Sequence, residues 1–261
     1  MTLKLMGFIK KRGFSTAVHI FPNHKIANLC MRASIPKRIG TTRRLYHWWT
    51  CNEKVNLSRK KTQLHEAELN LKLLKSFNFK NIQDKENIIK YCRLKKQNSG
   101  PYNTCHLSPQ KFNLIIHPGT NGNTKVWPNS CFKELINLIP KEKFQIILTG
   151  SKKEAYIFKE IRQIKGTIDT MGKLSLKDLL CLIQNANGFL AHSTGPLHIA
   201  AFSGIRTLGL YPSNPQMSCK RWGPLGINTE VISQSQDNMQ DSDLSKIKVA
   251  SVFNKIIKWI R

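Results

Sequence analysis

Residues 188–203 read GFLAHSTGPLHIAAFS, and this stretch decides the fold. The apolar run at 188–191 is typical of a buried strand, and the small polar residues after it are typical of a turn. Ser193 or Thr194 can cap a helix, and Pro196 suits the first helical position. The stretch therefore predicts a strand, a short turn and a helix over residues 196–203.

The same alternation extends over the chain from residue 112 onward. Apolar runs predict strands at 113–117, 144–148, 188–191, 207–211 and 229–232. Helical patterns predict helices at 129–139, 152–164, 175–185, 196–203 and 243–260. Strands that alternate with helices indicate an α/β fold with a mostly parallel sheet. Right-handed crossovers then bring the carboxyl ends of the strands to one edge, where such sheets bind ligands.

The front of the chain has a weaker pattern. It predicts a strand at 16–21, a helix at 23–33 and an amphipathic helix within 65–77. Residues 80–111 are rich in Lys, Asn and Gln, which is typical of a connection between two lobes. We therefore expect two domains, residues 1–105 with the connection and residues 106–261.

Positive charge is the most prominent feature of the composition. The 261 residues hold 42 Lys and Arg against 15 Asp and Glu, a formal net charge of +27. The first 80 residues hold 17 basic and 3 acidic residues, so they carry +14, about half of the excess. Such a field attracts nucleic acid, an anionic membrane face or a phosphorylated glycolipid, unless it reflects a general lysine bias of the proteome. No helix-turn-helix, zinc-finger or RNP pattern is present, so nucleic acid is not the expected partner.

Cysteine spacing and hydropathy point to the cytoplasm. The seven cysteines are scattered, and they form neither a CxxC pair nor a zinc-type spacing with histidine. We therefore expect reduced thiols and no structural metal site. No apolar run approaches the ~18 residues of a membrane span, and the first residues lack the apolar core of a signal peptide.

Three glycine turns follow predicted strands and carry the chemistry. They are HPGTNGNTKVWP at 117–128, LTGSKKE at 148–154 and HSTGPLH at 192–198. Glycines let a backbone approach a ligand closely, while Thr120 offers a hydroxyl and Lys125 a compact cation, which suits a diphosphate at a sheet edge. The alternative for the first turn is an ordinary glycine-rich connection with a surface lysine.

The other two turns add a carboxylate and a helix start. Glu154 falls in a first helical turn, where it either complements the helix dipole or accepts ribose hydroxyls. Thr194 and Gly195 would present backbone N–H groups to an anion. His198, one turn further, would donate to a phosphate oxygen; the alternative is a histidine satisfied in the core.

In order and spacing, these motifs resemble glycosyltransferase family 9, the ADP-heptose:lipopolysaccharide heptosyltransferases. The runs MGKLSLKDLL at 171–180 and RWGPLG at 221–226 also match family stretches. The resemblance covers residues 112–232 and extends more faintly over 14–77. It implies a GT-B architecture of two Rossmann-like lobes, with the acceptor in the N-terminal lobe and the donor in the C-terminal one.

The resemblance also implies roles for individual residues. The donor-binding set would be Thr120, Lys125, Glu154, Leu174, Ser193, Thr194, Gly195 and His198. Lys125 and His198 would stabilise the leaving diphosphate, with neither a metal nor a cofactor beyond the ADP-sugar co-substrate. Many family members have Asp where Ser193 stands, a departure that bears on donor identity.

The acceptor implied by the family is an anionic lipopolysaccharide precursor. Arg43 and Arg44 would contact it or rest on the cytoplasmic face of the inner membrane, beside Trp48 and Trp49. The alternative is that both tryptophans pack inside the lobe while the arginines are solvated.

The family's catalytic base is an aspartate in a Gly-Asp loop, which has no counterpart in this sequence. The resemblance implies that the βα units carrying this loop are missing, which leaves the N-terminal lobe incomplete. A split enzyme and a non-catalytic nucleotide-sugar-binding remnant therefore both stay open, as does the identity of the base.

Overall fold

The computed structural model describes residues 2–59, 62–77, 85–91, 94, 107–120, 126–234 and 243–260. The chain divides into two units, Met1–Ile88 and Ile89–Arg261. The predicted domain boundary between residues 105 and 106 lies outside the described residues.

The first unit contains a parallel sheet of three strands in the order β1-β2-β3. The strands are β1 (Thr16–Val18), β2 (Lys37–Thr41) and β3 (Glu53–Val55). The helices described here are α1 (Thr2–Arg12), α2 (His24–Arg32), α3 (His47–Thr50), α4 (Glu66–Lys72) and α5 (Lys85–Tyr91), with a 3-10 turn at Lys75–Phe77. The division between the units falls inside α5. The strand and both helices predicted for this region are confirmed, each with shorter bounds.

Side-chain caps fix where the helices of the first unit begin. Asn23 Oδ1 accepts the N–H of Lys25 at 3.0 Å and thereby starts α2. At the start of α4, the Glu68 carboxylate accepts the N–H of His65 at 2.7 Å, and His65 Nδ1 accepts the N–H of Ala67 at 3.1 Å. A small apolar core lies under the sheet and is formed by Ile39, Leu57, Leu69 and Leu73.

The second unit contains a parallel sheet of six strands in the order β6-β5-β4-β7-β8-β9. The strands are β4 (Phe112–His117), β5 (Phe144–Leu148), β6 (Thr167–Asp169), β7 (Gly188–His192), β8 (Arg206–Tyr211) and β9 (Thr229–Ser233). The helices described here are α6 (Asn129–Leu138), α7 (Lys152–Ile157), α8 (Lys159–Arg162), α9 (Leu176–Asn185), α10 (Gly195–Ser203), α11 (Cys219–Trp222) and α12 (Val249–Ile257), with 3-10 turns at Leu244–Lys246 and Lys258–Ile260. All five strands predicted for this region are confirmed, and β6 is an addition.

Helices cover both faces of this sheet. Leu114 and Ile116 of β4 pack with α6 and α12 on one face, while Ile115 between them packs with α9 and α10 on the other. Because successive side chains of a strand point to opposite faces, a run that is apolar throughout serves two cores at once. The expected α/β fold with a parallel sheet is confirmed.

The strand order places a crevice at the middle of this sheet. From β4 the chain moves outward to β5 and β6, then returns to the other side of β4 for β7, β8 and β9. The helix after β4, α6, therefore covers one face, and the helix after β7, α10, covers the other. Parallel sheets bind ligands where the strand order reverses in this way, outside the carboxyl ends of the strands.

Candidate functional site

The three glycine turns leave three neighbouring strands of the second unit. We call them the first turn (117–128), the second turn (148–154) and the third turn (192–198); they follow β4, β5 and β7. In the register of the sheet, Ile116 pairs with Leu148 and His117 pairs with Ala191, so the three strand ends are level. The first and third turns lie on the two sides of the point where the strand order reverses.

The first turn is anchored to the second by a buried hydrogen bond. His117 Nδ1 lies 2.9 Å from Thr149 Oγ1, and both side chains are buried. Thr120, further along the turn, is also buried. Lys125 lies outside the described residues, together with residues 121–124, so its role stays a prediction.

Glu154 of the second turn is buried and makes a helix cap. Its Oε2 accepts the N–H of Ser151 at 2.7 Å and the hydroxyl of Ser151 at 2.8 Å. Its carboxylate also lies directly against Gly119 of the first turn, where a β-carbon would stand 2.0 Å from Oε1. The expected alternative, a carboxylate that complements the helix dipole, fits this position in the first helical turn of α7, where Glu154 also forms a capping box with Ser151 and contacts the first turn. Ribose binding by Glu154 stays a prediction.

The third turn opens α10, which begins at Gly195, one residue earlier than expected. Thr194 is the N-cap residue, but its side chain makes no cap hydrogen bond. Among the described residues, nothing accepts from or donates to its buried Oγ1 atom. A β-carbon at Gly195 would meet no described atom within 4 Å. The start of α10 thus combines a helix N-terminus with open space, an arrangement that favours an anion.

His198 lies one turn into α10 and is half-buried. Its N–H donates to the Thr194 carbonyl at 3.4 Å, which continues the helix from its cap. It is the fourth residue of α10, which begins at Gly195. Donation from its ring to a ligand stays a prediction.

Two buried histidines, His117 and His192, lie beneath the turns and were not predicted as site residues. Burial lowers the pKa of His117, while the nearby Glu154 carboxylate acts in the opposite sense. Burial, with a smaller contribution from His117, lowers the pKa of His192 to about 3, and the Pro118 carbonyl opposes the shift. Both rings are therefore neutral near pH 7. The sequence signal that could have found them is the shared position, since each histidine ends a buried apolar strand just before a glycine turn.

Ser193 of the third turn contacts Tyr211, the last residue of β8. The Tyr211 hydroxyl donates to the Trp222 carbonyl at 2.7 Å, and the Ser193 hydroxyl hydrogen-bonds to Tyr211. Burial raises the pKa of Tyr211 above its usual range. Ser193 thereby connects the third turn to the RWGPLG stretch, a link that sequence reasoning missed.

Leu174 follows β6 in the loop that leads to α9. It is half-buried and packs against the apolar core on the α9 and α10 face of the sheet. The same loop touches the second turn, because the N–H of Gly172 donates to the Gly150 carbonyl at 2.8 Å. Leu174 therefore lies on a loop adjacent to the second turn. Its predicted contact with the adenine of the donor stays a prediction.

The candidate acceptor residues, Arg43 and Arg44, are exposed in the first unit on the loop after β2. In α3, the helix that follows this loop, Trp48 and Trp49 are 57% and 63% exposed. The alternative that both tryptophans pack inside the lobe is therefore wrong. The Trp48 ring is held at the surface because its Nε1–H donates to the Thr42 carbonyl at 3.2 Å.

Two basic residues near this loop have structural partners. Lys37 pairs with Glu53 at 3.1 Å, and Arg38 Nε donates to the Thr50 carbonyl at 2.8 Å. We therefore do not count Lys37 and Arg38 with Arg43 and Arg44 as candidate acceptor contacts.

The ranges of the chain that the structure describes contain neither a candidate metal site nor a candidate membrane span. Within those ranges, no three His, Cys, Asp or Glu side chains cluster closely enough to hold a metal ion. Within the same ranges, every helix is too short or too polar to cross a lipid bilayer.

Known proteins resemble this chain in sequence and in fold. A family model described as glycosyltransferase family 9 (heptosyltransferase) matches residues 3–249. The chain is 29% identical over 132 residues to the lipopolysaccharide core heptosyltransferase OpsX of Haemophilus influenzae. That alignment covers 49% of this chain and spans only 37% of OpsX.

Two solved structures share the fold at low sequence identity. A glycosyl transferase family 9 protein of Veillonella parvula superposes with a TM-score of 0.79 at 14% identity, covering 99% of this chain and 78% of that one. The heptosyltransferase WaaC of E. coli, whose structure contains ADP, superposes with a TM-score of 0.73 at 18% identity, covering 99% of this chain and 77% of that one. These likenesses confirm the expected α/β fold of the GT-B type.

Proposed function

The chain belongs to glycosyltransferase family 9, and from that premise we propose that it transfers heptose or a related sugar from a nucleotide-diphosphate sugar to a lipopolysaccharide inner-core acceptor. ADP-heptose is the proposed donor, consistent with the ADP in the WaaC structure. The proposed reaction uses this co-substrate with no further cofactor and no metal. We place it at the cytoplasmic face of the inner membrane.

One observation carries the donor half of this proposal. The three turns leave adjacent strand ends around the reversal of the strand order, and Glu154 of the second turn contacts Gly119 of the first. A diphosphate between the first turn and the start of α10 would meet the backbone amides of Thr194 and Gly195. Pro196 has no N–H, so Thr194 and Gly195 supply the amides that this helix start offers to an anion.

The transfer itself has simple chemical requirements. The acceptor oxygen bonds to the anomeric carbon while the bond from that carbon to the diphosphate oxygen breaks, and ADP leaves with the electron pair. Lys125, the start of α10 and His198 would stabilise the charge that develops on the leaving diphosphate. The proton of the attacking hydroxyl goes to a base, for which we assign no residue of this chain.

The acceptor half rests on the loop after β2. Arg43 and Arg44 are cations that suit phosphates or carboxylates of an anionic glycolipid, since guanidinium groups bind such oxygens in pairs. The exposed indoles of Trp48 and Trp49 in α3, the helix that follows this loop, suit the interface between lipid and water. We therefore propose this loop and α3 as the acceptor contact and as a peripheral contact with the membrane.

Calorimetric titration with ADP tests the donor site. We expect Lys125→Ala and His198→Ala each to weaken ADP binding about tenfold or more, because each removes a charge-assisted or polar contact to phosphate. Lys165→Ala is the matched control, since Lys165 is exposed before β6, at the opposite edge of the sheet. Equal affinity in all four proteins would remove the site assignment. ADP binding without sugar transfer from ADP-heptose would leave a nucleotide-sugar-binding protein and remove the transferase proposal.

A further inference from the structure

Trp127, at the far end of the first turn, is held on three sides. Its side chain is fully buried, and its Nε1–H donates to the Ile247 carbonyl at 2.9 Å. Its ring meets Phe132 edge to face, with the centroids 4.9 Å apart. Its backbone N–H donates to His192 Nε2 at 2.8 Å. Trp127 is thus the fixed point from which the chain enters α6.

The partner of this N–H, His192, belongs to the third turn. It is the last residue of β7 and precedes Thr194, the N-cap of α10, by two positions. The residue is 1% exposed, and its ring meets Phe132 edge to face, with the centroids 5.7 Å apart. The side chain of His192 therefore links the end of the first turn, by a hydrogen bond, to the backbone segment that leads from β7 into α10.

We infer that His192 is a positioning residue that sets the first turn and the start of α10 at the spacing a diphosphate requires. This inference rests on the proposed function, because it assumes that the first and third turns both bind the donor. The two turns belong to different βα units, 65 residues apart at the hydrogen bond. A buried N–H is costly to leave without an acceptor, so the Trp127 backbone follows the position of His192 Nε2. The low pKa of His192 keeps that nitrogen an acceptor through the physiological range.

A pair of nearly isosteric variants isolates this hydrogen bond. His192→Gln places an amide oxygen where Nε2 accepts, while His192→Met fills a similar volume without an acceptor of comparable strength. Amide hydrogen exchange at Trp127 reports the bond directly, and calorimetric titration with ADP reports its consequence. Leu182→Ala serves as the control for general destabilisation, because Leu182 is buried in the core on the other face of the sheet.

The inference predicts fast exchange at Trp127 and about tenfold weaker ADP binding in His192→Met, with both restored toward wild type in His192→Gln. It also predicts that Leu182→Ala binds ADP with near-normal affinity, even though its unfolding temperature falls by about as much as that of His192→Met. Equal Trp127 exchange in the two His192 variants, or equal ADP affinity in them while the wild type binds ADP, would overturn it. A wild type that does not bind ADP would remove the proposed function instead, and Trp127 exchange would still decide whether His192 holds the turn.

Discussion

The carboxylate of Glu154 lies so close to Gly119 that a β-carbon at position 119 would stand 2.0 Å from its Oε1 atom. Glycine at this position therefore lets the first and second turns touch. We expect Gly119→Ala to displace Glu154 and to lower the free energy of unfolding by about 1–3 kcal/mol. Chemical denaturation measures this, with Gly195→Ala as the comparison for stability, because a β-carbon there meets no described atom within 4 Å. Equal stability of Gly119→Ala and wild type would contradict the close approach.

Removing the Glu154 carboxylate should separate helix capping from ligand binding. Glu154 and Glu68 each accept the N–H of their N-cap residue at 2.7 Å, one in each unit. We expect Glu154→Ala and Glu68→Ala each to cost about 1 kcal/mol of stability, because both lose a capping box. Only Glu154→Ala should also weaken ADP binding in calorimetry. Unchanged ADP affinity in Glu154→Ala would limit this residue to capping.

Five strands of the second unit were predictable because each has a short run of apolar residues at its centre. The run at 113–117 predicted a buried strand, and β4 spans Phe112–His117. The short strands β3 (Glu53–Val55) and β6 (Thr167–Asp169) were missed because three residues carry no periodicity. The helix predicted at 152–164 is two helices, divided at Phe158, whose side chain is buried in the core.

The turns of the candidate site were predictable from the sequence, but the hydrogen bonds that connect them were not. Glycines and a cap residue mark the turns in the sequence, and parallel topology alone brings the strand ends to one edge. The hydrogen bonds from Trp127 to His192 and from Tyr211 to Trp222 depend on tertiary packing, which no local pattern encodes. For the same reason, the sequence did not decide whether Trp48 and Trp49 are exposed or packed inside the lobe.

Lowering the pH should reduce the stability of the second unit, because His192 is buried there in its neutral form. When unfolded, this histidine takes up a proton near pH 6.5, whereas in the folded protein burial lowers its pKa to about 3. The unfolded state therefore binds more protons between these values, so stability is lost as the pH falls below 6.5. From pH 7.5 to pH 5 we expect the wild type to lose about 2 kcal/mol more than His192→Gln, measured by chemical denaturation. Parallel pH profiles of the two proteins would contradict a buried, neutral His192.

The basic loop after β2 and the tryptophans of α3 in the first unit should bind anionic lipid. We expect the wild type to sediment with phosphatidylglycerol vesicles, more weakly at high salt, and not with phosphatidylcholine vesicles. Trp48→Ala with Trp49→Ala, and Arg43→Ala with Arg44→Ala, should each reduce the bound fraction several-fold. Tyr156→Ala is the control, because Tyr156 is 85% exposed in the second unit. Equal binding by the control and both double variants would exclude this loop and α3 as the membrane contact.

A crystal structure of the chain with ADP would show directly whether one nucleotide is gripped by turns from three strands. We predict the diphosphate between Thr120 and the backbone N–H of Gly195, with the ribose beside Glu154. Density for ADP that touches only one of the three turns, or that lies elsewhere on the chain, would contradict a shared donor site at the reversal of the strand order.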